Sequence, residues 1–541
     1  MTKRKLSSTE DHRQAIGVPG KRQHFATSSS FSKLSDEALL LIFSYLSSGD
    51  LTACASVSKT WNTLSSDSLV WKQLFYSHFV EPRLPKKLYF RRQAEDLWFR
   101  RTREQEPDNH WKSLYRLRYN WHRGRCSIGR INVSSPPSDK RSGSLGGGHE
   151  QSMMIRFRGR SIFTVDEVFG LRAWDAGGAL TATVAIPRTY LDEHGQEIAY
   201  GAPSALHIHT QDNILCDGQS ELAIIVGFTG GGYALYTTGV DCKYSSFDLR
   251  YTHSPASHHL AVTSIVYEYP FLVTLARDQR MNIYQFQQSD DQDDNKFLDD
   301  ASLISSLKSQ TIHGPISLSI RKAAQSERVF VTAAYSHPFL ASGWTVGIQE
   351  IELDPVHGVV NIRTASSLPK ESPIIGSSRS LQSRKPHSPA LYELDFGFNE
   401  TLSPPTSLSY SHPFLLSSHA DNTLISYTVK STDLELSVSE GKRLWGHSSG
   451  IARVEVKDRG KAVSVSSNGY EIRVWDLELY RFGRDDSVES VKLRIGEDKA
   501  SPPEEEIEGA RLGKFFGFDD EKVVVEQEKK QGRAILVYDF T

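Results

Sequence analysis

Two stretches, YEYPFLVTLARDQRMNIYQF (Tyr267–Phe286) and YSHPFLLSSHADNTLISYTV (Tyr410–Val429), share one pattern, and YSHPFL recurs at Tyr335–Leu340. Each long copy reads as a Pro-Phe-Leu corner, a β-branched run, a polar turn and a second run ending in an aromatic. Proline makes the corner and the apolar pair after it starts the next strand. Such a unit is a hairpin whose outer edges still need partners. Weaker copies occur in SIFTVDEVFGLRAWD, AIIVGFTGGGYALYT, FLASGWTVGIQEI, AVSVSSNGYEIRVWD and RAILVYDF. Together they make about seven units, the number that closes a ring of four-stranded sheets and hides edges that would otherwise aggregate.

The strand-like runs begin after Cys126, where apolar residues recur with period two and no amphipathic helix intervenes. An all-β domain is expected over 125–541. Four polar, Ser/Pro-rich or acidic inserts, near 134–151, 287–311, 366–390 and 484–508, read as disordered loops.

Upstream the periodicity is helical. Leu39, Ile42, Phe43 and Leu46 fall at i, i+3, i+4 and i+7, with Ser35 as N-cap and Asp36 and Glu37 at the positive end of the helix dipole. SSGD then breaks the helix, and Asp50 caps a second helix carrying Val57, Trp61 and Leu64; a third starts near Ser68 with Leu69, Trp71, Leu74 and Phe75. Three helices in about 50 residues build a meagre core, so part of this apolar surface is expected to need a partner. The fold class is therefore α plus all-β: a tail over 1–30, a three-helix module over 31–79, a Trp- and Arg-rich helical linker over 80–124, then the ring.

Composition narrows the function. The 541 residues carry 63 Lys plus Arg against 65 Asp plus Glu, a net charge of -2, so no global field draws the chain to nucleic acid or an anionic membrane. The basic, aromatic stretch Phe90–Trp121 is interleaved with acids and reads as a connector rather than a nucleic-acid platform. Cys54, Cys126, Cys216 and Cys242 are scattered, as expected of a reducing compartment. Neither a signal peptide nor a spanning segment is read, and KRK at Lys3–Lys5 leaves cytoplasm and nucleus both open.

LSDEALLLIFSYLSSGDLTACASVSKTWNTLSSDSLVW (Leu34–Trp71) resembles the F-box family, with Ser35 where that family commonly has Pro. The resemblance implies docking onto a Skp-type adaptor through Leu34, Leu39, Ile42, Phe43, Leu46, Leu51, Val57, Trp61 and Trp71. LWGHSSGIARVEVKDRGKAVSVSSNGYEIRVWDLE resembles a WD-repeat blade, in which a His, a strand Ser or Thr, a turn Asp and a Trp form a buried hydrogen-bond chain. That similarity assigns His447 and Trp475 to the chain with Asn468 near the turn, and places Asp278 and Asp421 in two other turns where Tyr284 and Tyr427 replace Trp. Together the two resemblances imply a non-catalytic substrate receptor of a cullin-RING, SCF-type ubiquitin ligase, with a Skp-type adaptor, a cullin scaffold and a protein substrate as partners and no cofactor. The alternative is a scaffold or trafficking protein outside ubiquitination.

Three rival chemistries fail on context. GHSSG (Gly446–Gly450) matches a nucleophile elbow, but a strand pattern follows Ser448 where that motif needs a helix. His207 and His209 lack the further ligands of a metal site. GFTGGGY has no Lys-Ser or helix after it, so it reads as a turn rather than a phosphate loop.

Overall fold

In the computed structural model the described residues are 34–83, 111–133, 153–175, 177–191, 195–214, 220–239, 246–254, 260–286, 301–309, 312–323, 326–339, 343–367, 403–457, 460–469, 471–477, 490–495, 512–529 and 532–541. The expected tail, most of the linker and the greater part of each insert lie outside them. The chain divides into two compact units, Met1–Phe79 with Glu106–Lys112, and Val80–Gln105 with Ser113–Thr541.

The first unit holds four helices rather than three: α1 (Asp36–Phe43), α2 (Ser48–Cys54), α3 (Lys59–Ser65) and α4 (Ser68–Phe75). Ser35 caps α1, its hydroxyl accepting from the Ala38 amide at 3.4 Å. The first helix ends at Phe43, before SSGD, and SSGD opens the second. Ser47 caps α2 and exchanges bonds with Asp50, accepting from its amide (3.3 Å) and donating to its carboxylate (2.7 Å), so Asp50 lies inside the helix. Ser58 caps α3 through the Trp61 amide, which splits the expected second helix after Val57. Asp67 caps α4. Because caps recur every few residues, each helix is about two turns long and depends on packing for stability. Phe43 meets Trp61 edge-to-face at 5.4 Å, and the buried Trp71 indole donates to Ser65 O at 2.7 Å. Trp111, at the start of α5 (Trp111–Arg123), lies against Phe75 with ring centroids 5.7 Å apart.

In the second unit seven sheets each run from an inner strand outward. The inner strands are Met154–Arg158, Pro203–Ile214, Val262–Glu268, His313–Lys322, Ser407–Ser411, Ile451–Val456 and Leu512–Phe518, heading blades 1 to 7. Each adjoins the next, and the last adjoins the first, so the ring is closed: a seven-bladed β-propeller. The outermost strand of blade 7 is Arg125–Val133, which pairs antiparallel with Gly532–Asp539; the start of the ring thus completes its end. A short strand, Arg494–Ile495, adds a fifth, parallel partner outside Arg125–Val133. With Ala301–Lys308 and Ser490–Lys492, it places ordered strands inside two segments expected to be loops throughout. Their polar sequences suit outer strands, which bury little.

Apolar side chains fill all seven spaces between blades, for example Phe163, Ile224 and Phe228 between blades 1 and 2 and Val524, Ile535 and Ile155 between blades 7 and 1. The middle strands are covered on both faces. Ser161–Asp166 and Phe414–Ser418 are buried at every position, whereas outer strands such as Leu180–Val184 are half-exposed. Period two is accordingly weak in the strands that matter most. Because sheet neighbours are antiparallel, turns joining first to second and third to fourth strands emerge on one face of the ring, and turns joining second to third on the other. The two faces are called the first-turn and second-turn faces below.

The three YSHPFL-like stretches do not share one role. In blades 3 and 5 the proline sits at the first turn, before strands Phe271–Ala276 and Phe414–Ser418. In blade 4 Pro338 lies inside the second strand, Val329–Phe339, paired only with Trp344 of the third. The first strand has already ended its pairing there, so the missing N–H costs no ladder bond.

Candidate functional site

The helical module divides its apolar residues sharply. Leu39, Phe43, Leu51 and Trp71 are buried, Leu46 and Trp61 are half-buried, and Leu34, Ile42 and Val57 are exposed. The four buried positions hold the module together and are not available to a second protein. The docking residues assigned from the sequence omit Leu41 (61% exposed), Tyr45 (82%) and Leu69 (71%), which are about as accessible as Val57 (63%) or more, and more accessible than Leu34 and Ile42. Only Leu39 and Phe43, at i and i+4 of the stripe, face inward on α1, while Ile42 at i+3 is exposed; the outward residues carry a signal only as apolar letters where that stripe would leave polar ones. These six are the exposed large apolar side chains of the module among the described residues.

On the propeller, blade 6 carries a buried chain. Trp475 Nε1 donates to Ser464 Oγ at 2.8 Å, and Ser464 Oγ lies 2.6 Å from His447 Nε2. The carboxylate beyond the imidazole is not at Asn468, which accepts from Ser466 Oγ at 2.6 Å, but at Glu471, 3.4 Å from His447 Nδ1. Glu471 also accepts from the Ser448 amide and hydroxyl and from Arg473 Nε. Its acid sits beyond the turn, so the usual spacing does not find it. Burial, only partly offset by Glu471, pulls the His447 imidazole down to about 4.

Elsewhere the pattern survives in fragments. Trp174 Nε1 donates to Thr164 Oγ1 at 2.9 Å in blade 1; in blade 3 the Tyr284 hydroxyl instead accepts from Asn282 Nδ2 at 3.5 Å, and in blade 5 Ser417 Oγ lies 3.0 Å from His419 Nε2. Asp278 and Asp421 occupy second turns as expected. Partial burial opposes the ionised form of Asp278, but bonds from Lys308 and the Arg280 amide prevail and hold its carboxyl below the usual range. Asp421 accepts from the amide and hydroxyl of Thr423. These groups are structural.

The rival chemistries find no geometry. Ser448 Oγ donates to Glu471 rather than to an imidazole, and the strand Ile451–Val456 follows it. His209 lies 3.8 Å from Glu268, and among the described residues no three His, Cys, Asp or Glu side chains gather to hold a metal. In GFTGGGY the Gly230 amide donates to Tyr200 O and the Gly231 amide to Phe228 O, so these N–H groups are spent within the turn. Cys126 is a buried thiol in no disulfide, pushed up to about 12 by burial and by Asp539; Cys216 and Cys242 lie outside the described residues. No described helix is long and apolar enough to cross a membrane.

A family model described as F-box-like matches residues 32–77, and one described as F-box protein pof12 beta-propeller matches 148–541. The F-box protein pof12 of Schizosaccharomyces pombe is 24% identical over 449 residues, covering 82% of this chain and 84% of that protein. The F-box protein dre-1 of Caenorhabditis elegans is 30% identical over 115 residues, 21% of this chain and 11% of its own. Among solved structures, U3-55K aligns with 76% of this chain and 98% of its own at a TM-score of 0.36 and 8% identity. The chain belongs to the family of F-box proteins that carry a pof12-type β-propeller.

Proposed function

We propose that this protein is a non-catalytic substrate receptor of an SCF-type ubiquitin ligase. Its helices dock on a Skp-type adaptor bound to a cullin, and the propeller holds a protein substrate beside a ubiquitin-charged conjugating enzyme. The observation that carries this reading is the apolar surface of Leu34, Leu41, Ile42, Tyr45, Val57 and Leu69, left open on a module otherwise able to bury its core. Catalysis then rests on proximity: tethering raises the local concentration of substrate lysines without new chemistry.

The test is adaptor capture by the full chain. Leu41→Asp with Tyr45→Asp changes exposed residues only, so the module should stay folded while co-purification with the adaptor falls at least about tenfold, the equivalent of losing roughly 1.4 kcal/mol. Undiminished capture would remove the proposal. If adaptor binds but cullin is absent from the purified complex, a scaffold or trafficking role replaces the ligase role. Proteins that accumulate on F-box deletion would identify the substrate.

A further inference from the structure

On the first-turn face, where the turns of blades 6, 7 and 1 meet, a cavity of about 790 Å³ opens. Its most forward wall is the two-residue turn Gly159-Arg160 of blade 1. Gly159 has φ 56° and nothing within 4 Å of where a Cβ would stand, so the tip borders open space. Arg158 and Arg160 flank it, both are exposed, and both line the cavity; neither has a carboxylate partner among the described residues.

The acids in the same wall are already engaged. Asp519 accepts from the amides of Glu521 and Lys522 at 2.7 Å, and Asp539 from the amide and hydroxyl of Thr541 at 2.9 and 2.7 Å. Asp520 stands 3.6 Å from Lys461, and Glu521 4.0 Å from Lys522. The unpaired positive charge is therefore that of Arg158 and Arg160, since Lys457 pairs with Glu455 at 2.9 Å. It continues inward: burial first, then His209, Arg156, Lys457 and Arg158, pull His207 of blade 2 down to about 3, so cations of blades 1 and 6 are felt on the inner strand of blade 2. Arg453 on the inner strand of blade 6 is exposed and has no carboxylate partner among the described residues.

We propose that this cavity is a binding site for a small, multiply phosphorylated anion, held by the guanidinium groups of Arg158 and Arg160, with Lys457 of the same lining as a further contact. Planar guanidinium forks match phosphate oxygens in pairs, and a recess of this volume takes one compact ligand. The site lies on the face opposite the second turns.

Calorimetric titration of the full chain with inositol hexakisphosphate tests it. Saturable one-site binding is expected, weakened at least tenfold by Arg158→Ala with Arg160→Ala and weakened also by Lys457→Ala, but not by Lys430→Ala on the outer part of blade 5. Each altered side chain is exposed, and circular dichroism checks that the variants fold. A parallel sedimentation with phosphatidylcholine vesicles containing phosphatidylinositol bisphosphate separates the sources: capture by vesicles points to a lipid headgroup, binding of the free anion alone to a soluble one. Absence of saturable binding to either probe, or affinity indifferent to the double variant, overturns the proposal.

Discussion

Ser464 and the acceptor-only carboxylate of Glu471 together set the tautomer of His447. The Trp475 indole N–H can only donate, so Ser464 Oγ accepts from it, and its own hydrogen is free for His447 Nε2. That leaves the imidazole proton on Nδ1, facing Glu471. Ser464→Ala orphans two buried groups, at about 1–3 kcal/mol each, and urea unfolding should show the loss. The same imidazole makes stability pH-dependent. Its pKa of about 4 in the fold lies below that of an exposed histidine, so the unfolded chain takes up the proton first. The contribution is full above pH ~6.5, declines between ~6.5 and ~4, and stays lost below that. Urea midpoints at pH ~7.5 and ~5 should differ less in His447→Gln than in the parent, because one of the groups that drives the slope is gone.

Between elements, the strongest polar tie joins blades 4 and 5. Glu350, buried on the third strand of blade 4, accepts from Arg321 at 3.0 Å, from Arg363, and from Ser431 of blade 5 at 2.9 Å. Arg363 also donates to Thr432 O, so the cluster holds two sheets that no ladder connects. Glu350→Ala strands two guanidinium groups and should cost about 3–5 kcal/mol in a denaturant titration. Turns have equally local demands. Gly170 has φ 75°, and a Cβ there would fall 2.2 Å from Val184 O, so Gly170→Ala should destabilise by more than about 1 kcal/mol in the same measurement. The helices of the F-box show how far an element can be read in advance. Ser35 caps α1 as its sequence indicates, but Ser47 and Ser58 rather than Asp50 set the next two starts, because several hydroxyls and acids compete for the same N-terminal amides.

For the whole molecule the decisive contact is between Arg125–Val133 and Gly532–Asp539, about 400 residues apart in the chain. α5 is anchored beside this closure: Trp121 stacks on Phe540 at 3.7 Å and donates to Asp520 O. A chain that begins at residue 111 retains the closing strand and should elute as a folded monomer in size-exclusion chromatography. One that begins at residue 134 opens the edge of Gly532–Asp539 and should associate or aggregate.

The sequence by itself determined the seven hairpins, the helical module before them and the order of the two, because each depends on apolar spacing and turn residues within about twenty positions. His447, Trp475, Asp278 and Asp421 were legible for the same reason. Tertiary structure alone decided that Leu39 and Phe43 face inward while Leu41 and Tyr45 face out, and that Glu471 supplies the carboxylate expected nearer Asn468. It also gave YSHPFL a corner in one blade and a strand in another, and it set Arg158 and Arg160 beside Lys457. Each of these depends on which distant segment lies opposite, and ring closure, not local pattern, brings those segments together.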